Sequence, residues 1–271
     1  MANNTSTASF SDLPSWVDSL QSKGLYFFTR EQAINELQAS KAAFDNASLR
    51  LAKKKRIARI YRGFYIIIPL EYYATGMLPP EWFIADLMSY LKKPYYVGLL
   101  SAAILHGAAH QQPQEFHVVT TAVLRKIEAR NLAIRFFTKK NFESSSTSQV
   151  KVQTGFMTVS SPEATALDLV CYARQIGGLD RVLTVFQELG EMLVADKLAA
   201  AAKAENNLSY AQRLGWLLEK AGFKSKTQKL AAWVSGQNPL PARLEPSLKI
   251  KGARKDERWS LLINTSVEGD L

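Results

Sequence analysis

The 271 residues, 47% of them hydrophobic, are enough for two ordinary domains with cores of their own. Thirty-four Lys and Arg against 24 Asp and Glu leave a formal net charge of +10, which biases the partners toward polyanions. A single cysteine, Cys171, excludes an internal disulfide and a Cys-rich zinc site, and no apolar run approaches the roughly 18 residues that a membrane-spanning helix needs.

The basic excess is uneven. Residues 23–68 carry 10 Lys and Arg against 3 acids, whereas residues 76–271 carry 24 against 18. Seven of the thirteen residues from Arg50 to Arg62 are basic, and no carboxylate lies between Asp45 and Glu71. Apolar residues are threaded through this stretch at structured spacing (Phe44, Leu51, Ile57, Ile60, Phe64), so it reads as a folded surface shaped for phosphates rather than a tail.

In chain order, a polar leader (Ala2 to Ser9) precedes a helix from Asp12, with Leu13, Trp16, Val17 and Leu20 on one stripe and an end near Gly24. Nothing from Met1 to Trp16 has the charged start and apolar stretch of an export signal, and a cytoplasmic location is expected. Thr29 opens a second helix as half of a capping box with Gln32, burying Ala33, Ile34 and Leu37. A third begins near Ser40, with Phe44, Ala47, Ser48 and Leu51 inward and Lys41, Asn46, Arg50 and Lys53 outward. Strands over Ile57–Tyr61 and Phe64–Ile68 follow, joined at Arg62 and Gly63.

Three helices and a hairpin are the order of a winged helix-turn-helix, expected over residues 1–75, whose third helix enters the major groove. Asn46 and Arg50 are side-chain types that form bidentate contacts with adenine and guanine edges. Lys53, Lys54, Lys55, Arg56, Arg59 and Arg62, at the helix end and along the wing, suit phosphates, and Lys41 joins the DNA-facing set. Most charge runs merely solvate a surface, and winged helices also dock on proteins. The coincidence of an acid-free basic stretch with the helix-turn-helix order favours DNA.

Gly76, Pro79 and Pro80 mark a junction, and residues 76–271 are expected to form a larger domain. A helix is predicted from Glu81 through Leu91, and a mostly apolar one over Tyr95–Gly107. Strands are predicted over Glu115–Thr121, Leu132–Thr138 and Val150–Val159. Ser161 and Pro162 then cap a helix that stops at Gly177 and Gly178; further helices cover Leu183–Leu189, Met192–Ala204 and Tyr210–Ala221, and a last strand covers Trp259–Asn264. The class is α+β, a small sheet covered by helices.

No phosphate-binding glycine loop, nucleophile elbow or metal-spaced set of Cys and His occurs, so no catalytic residue, metal or cofactor is assigned and no enzyme is expected. His106 and His110, four apart, and His117 are read as structural. Asp168, in an apolar helix, needs a buried partner. Glu163 fits the electrostatics of a helix start, and Cys171 reads as buried and inert.

The RGFYIIIP wing end, YYVGLLSAAILHG at Tyr95–Gly107, SPEATALDLV at Ser161–Val170, RLGWLLE at Arg213–Glu219 and the closing RWSLLINTSVEGDL occur in an order that resembles the AbiEi-type antitoxins of the AbiE (type IV) abortive-infection toxin-antitoxin systems. The resemblance covers most of the chain. It implies a cytoplasmic antitoxin that represses its own operon by binding inverted repeats in double-stranded DNA. It also implies a larger domain that neutralises an AbiEii-like toxin similar to nucleotidyltransferases, without need of a stable complex. Ser48 departs from the family, which usually has a large aliphatic residue there. Two other functions fit the residues: a winged-helix regulator responding to a small effector, and an enzyme acting on nucleic acid or on the toxin, for which no catalytic set is visible.

Overall fold

The computed structural model describes residues 12–108 and 114–269, which group into two compact units. The first runs to Pro94 and includes Arg125–Arg135 and Val150–Met157; the second comprises Tyr95–Leu124, Phe136–Gln149 and the chain from Thr158 onward. The leader over Ala2 to Ser9 and His110 lie outside the described residues.

The first unit opens with α1 (Leu13–Ser22), β1 (Phe27–Thr29), α2 (Arg30–Leu37), α3 (Lys41–Lys53), β2 (Ile57–Tyr61) and β3 (Phe64–Ile67). Each helix starts at an oxygen-bearing cap: Asp12 accepts from Ser15 N at 2.9 Å, Ser40 from Ala43 N at 3.1 Å, and Thr29 and Gln32 make both halves of the capping box. The end of α3 is closed by Arg56 N on Leu51 O (3.0 Å) and Lys55 N on Ala52 O (3.1 Å), with Lys55 in the left-handed region at φ 54°.

The strands form an antiparallel sheet in the order β1-β3-β2. β1 was not predicted, because three residues are too few to show alternation. Trp16 meets Phe28 edge-on at 5.3 Å, Phe28 stacks on Tyr65 at 5.3 Å, and Phe44 meets Tyr65 edge-on at 5.6 Å. Buried Ser48 costs the core no unsatisfied hydroxyl, since its Oγ donates to Asp45 O at 3.0 Å. The helix expected from Glu81 starts later: a 3-10 turn at Pro80–Trp82 leads into α4 (Ile84–Tyr90).

Next come β4 (Tyr95–Val97), α5 (Leu99–Leu105), β5 (Phe116–Thr120), β6 (Ile127–Ala129), β7 (Leu132–Thr138), β8 (Thr147–Val152) and β9 (Gly155–Ser160), forming one sheet in the order β6-β7-β5-β4-β9-β8. The predicted helix over Tyr95–Gly107 is thus corrected to a strand and a shorter helix. Tyr95–Val97 finds β5 antiparallel on one side and β9 parallel on the other, and those ladders outweigh local helical preference. Val150–Val159, expected as one strand, turns at 153–154 and contributes to two.

The second unit continues with α6 (Pro162–Cys171), α7 (Gly178–Met192), α8 (Ala195–Glu205), α9 (Leu208–Lys220) and α10 (Gln228–Gly236). β10 (Ala242–Arg243), β11 (Arg254–Asp256) and β12 (Leu261–Ile263) make a small sheet in the order β10-β12-β11. α6 is buried from Glu163 through Val170 and sits in a core with Phe137, Phe186, Leu214 and Trp259. The fold is α+β.

Candidate nucleic-acid interface

On α3 the buried positions Phe44, Ser48 and Leu51 define the inner face. At about 100° per residue, Asn46, Arg50 and Lys53 fall within roughly 60° of one another on the opposite side. All three are exposed, and Leu49 beside them is 57% exposed. Lys41 is also exposed, but at the first turn and roughly 120° to 180° around the axis from that stripe, so α3 does not bring it together with the other three. Leu49 was missed in the sequence, where an apolar residue next to a core reads as core.

The carboxylate of α3, Asp45, is neutralised by Arg30, whose Nη2 lies 2.7 Å from Oδ2 and 2.8 Å from Oδ1, with Nε 3.2 Å from Oδ1. Arg30 thereby removes the one negative charge that the helix would set beside its basic stripe.

Beyond α3 the basic residues separate into two groups. Arg56 forms an ion pair with Asp18 of α1, and Lys55 Nζ lies 5.5 Å from the centre of the Tyr73 ring, so both already serve the fold. Lys54, Arg59 and Arg62 are exposed, and none of them, nor Lys41, Arg50 or Lys53, has a carboxylate partner among the described residues. The alternation of β2 turns Arg59 and Tyr61 outward while Ile57 and Ile60 are buried. At the wing turn the Arg62 carbonyl accepts from Tyr90 Oη at 3.0 Å and the Gly63 carbonyl from Arg30 N at 2.8 Å. The wing tip is therefore tied at two backbone points while its arginine side chains stay exposed.

The second unit holds a buried polar cluster. Asp168, fully buried, accepts from Lys139 Nζ and Tyr96 Oη, each at 2.8 Å, and Lys139 also reaches Glu205 Oε2 at 2.8 Å. Burial alone pulls the Lys139 ammonium down, but Asp168 and Glu205 outweigh it and hold it above its ordinary value. Burial pushes Asp168 up, against the pull of Lys139. These atoms are consumed by one another, which fits the expectation that Asp168 needs a buried partner.

Glu163, almost fully buried, accepts from Val194 N at 3.0 Å. His106 Nε2 lies 2.8 Å from Ser160 O, and His117 is buried beside Phe137 with their ring centres 5.0 Å apart. Cys171 is half-buried, and burial pushes its thiol up, which disfavours the reactive thiolate. No three His, Cys, Asp or Glu side chains converge as a metal site among the described residues. No helix among them is long and apolar enough to cross a membrane.

The first unit thus has the element order of a winged helix-turn-helix, and the described residues form an α+β protein. Residues 96–220 match the sequence model of the AbiEi antitoxin C-terminal domain. Over that segment the chain is similar to the AbiEi-type antitoxins. Among solved structures, the RV2827C protein from Mycobacterium tuberculosis superposes with a TM-score of 0.66 at 14% identity, covering 95% of this chain and 94% of that one, and shows a shared fold. An antigenic nucleotidyltransferase-like protein from Paracoccidioides brasiliensis gives a TM-score of 0.33 at 9% identity, covering 57% of this chain and 90% of that one, too slight a likeness to define a common fold. No curated protein sequence matches.

Proposed function

We propose that the protein is a cytoplasmic, DNA-binding antitoxin. Through the winged helix, within residues 1–75, it represses its own operon at inverted repeats in double-stranded DNA. Through residues 76–271 it neutralises a nucleotidyltransferase-like toxin without catalysis of its own. The observation that carries the DNA reading is the outward stripe of Asn46, Arg50 and Lys53, flanked by Lys54, Arg59 and Arg62, all exposed and without acidic partners among the described residues. Asn46 and Arg50 have the donor and acceptor geometry for base edges, and exposed Leu49 suits a thymine methyl. The lysines and wing arginines set affinity on phosphates. The match over residues 96–220 supports the antitoxin half of the reading.

The test is fluorescence anisotropy on a duplex from the region upstream of the gene and on a mixed-sequence duplex. Reversing Lys54, Arg59 and Arg62 to Glu weakens both alike, whereas Asn46→Ala or Arg50→Ala costs about 1 to 3 kcal/mol on the cognate site and much less on the mixed one. The triple variant, expressed from an unrelated promoter, still protects cells that carry the induced toxin. Unchanged DNA binding in the triple variant, or loss of protection together with loss of DNA binding, refutes the division of labour.

A further inference from the structure

A second basic segment, far from the wing in sequence, lies against it within the first unit. β6 packs on β2, and an open groove of about 580 Å³ is lined by Arg59, Tyr61 and Arg62 of the wing, by Arg125 and Lys126 just before β6, and by Glu128 within it. Ile60 and Ile127, which also line it, are buried, so the two segments share an apolar base. The β6–β7 hairpin is fastened at its turn as well: Arg130 Nη2 donates at 3.2 Å to the carbonyl of Ala52, in the last turn of α3. Groove, wing and basic helix are therefore held as one piece.

The charges in the groove are of two kinds. Arg59, Arg62 and Arg125 are exposed and have no carboxylate partner among the described residues. Lys126 is paired with Glu128 at 2.5 Å, and both side chains are exposed. Three guanidinium groups around one channel suit phosphodiester oxygens, which they can meet in bidentate fashion. The attachment of the hairpin to the end of α3 favours the phosphates of the same duplex over an acidic peptide.

We propose that this groove holds a stretch of the DNA backbone, with Arg125 making a phosphate contact from the segment that leads into β6, opposite the wing. The proposal rests on the DNA-binding reading above. It adds that residues outside the winged helix enlarge the footprint, and that the negative charge of Glu128 in the groove limits affinity for the backbone.

The test measures binding of the full chain to a fluorescein-labelled mixed-sequence duplex across a salt series. Loss of one phosphate contact lowers the slope of log K against log salt by about 0.9, which is about five-fold in affinity at about 0.15 M salt. Arg125→Gln shows that loss and Arg125→Lys retains most of the slope. Glu128→Gln binds more tightly than wild type. Lys197→Gln, which removes the same charge from an exposed site on α8 in the second unit, leaves the slope unchanged. Far-UV circular dichroism verifies the fold of each variant. If Arg125→Gln matches Lys197→Gln while Arg59→Gln still loses slope, the groove proposal is overturned and the wing reading stands. If wild type fails to bind duplex DNA at all, both fall.

Discussion

Replacing Lys139 by Met removes one cation from between two carboxylates. The side chains of Lys139, Asp168 and Glu205 are 5%, 0% and 12% exposed, so water cannot take the place of the lost ammonium at Asp168. Breaking a buried pair in this way costs about 3 to 5 kcal/mol, far more than an exposed pair is worth. The loss depends on pH. Burial holds the Asp168 carboxyl above its unfolded value of about 3.9, and the substitution removes the Lys139 cation that pulls it back.

A carboxyl with a raised folded pKa favours the folded state below the unfolded pKa and loses that advantage as pH rises toward the folded one, by about 1.4 kcal/mol per pH unit. Urea unfolding of Lys139→Met should therefore show a modest loss against wild type at about pH 5 and the full loss at about pH 8. Adding Asp168→Asn should recover part of it, because a neutral amide oxygen still accepts from Tyr96 Oη. A loss below about 1 kcal/mol at both pH values, or a double variant no more stable than the single one, would mean that the cluster is solvated and the reasoning wrong.

Two further outcomes follow from close packing and burial. A Cβ on Gly215 of α9 would sit 2.0 to 2.3 Å from three ring carbons of Trp259, so Gly215→Ala should cost about 3 kcal/mol in urea unfolding and alter the near-UV circular dichroism of the indoles; wild-type stability would rule out this packing. Burial pushes the Asp86 carboxyl up to about 6, so stability due to that group falls as pH rises from about 4 to about 6, and Asp86→Asn should gain about 1 kcal/mol near neutral pH after allowance for its partial exposure, with no gain below about pH 4; an equal effect at both would exclude titration of Asp86 as the cause.

Much of the first unit was legible in the amino-acid order because its determinants are local. The Asp12, Thr29 and Ser40 caps, the 3.6-residue spacing of Phe44, Ser48 and Leu51, and the break at Arg62 and Gly63 each act within a few residues, and the elements form where those signals stand. Asn46, Arg50 and Lys53 could be placed outward for the same reason. What no local signal carries was decided by tertiary structure. Tyr95–Val97 became a strand only because β5 and β9 supply ladders on both sides, and β1 exists only as a partner of β3.

Charge likewise depends on distant neighbours. Arg56, read along the chain as a phosphate residue, has Asp18 set against it by the fold, while Arg125, unremarked in its own segment, joins Arg59 and Arg62 because β6 packs on β2. RLGWLLE and RWSLLIN stood out as separate motifs, and only the folded chain shows that Gly215 leaves the room that Trp259 fills. Local hydrogen bonding and periodicity are written along the chain; which charges are compensated and which surfaces meet is settled by contacts between residues tens of positions apart.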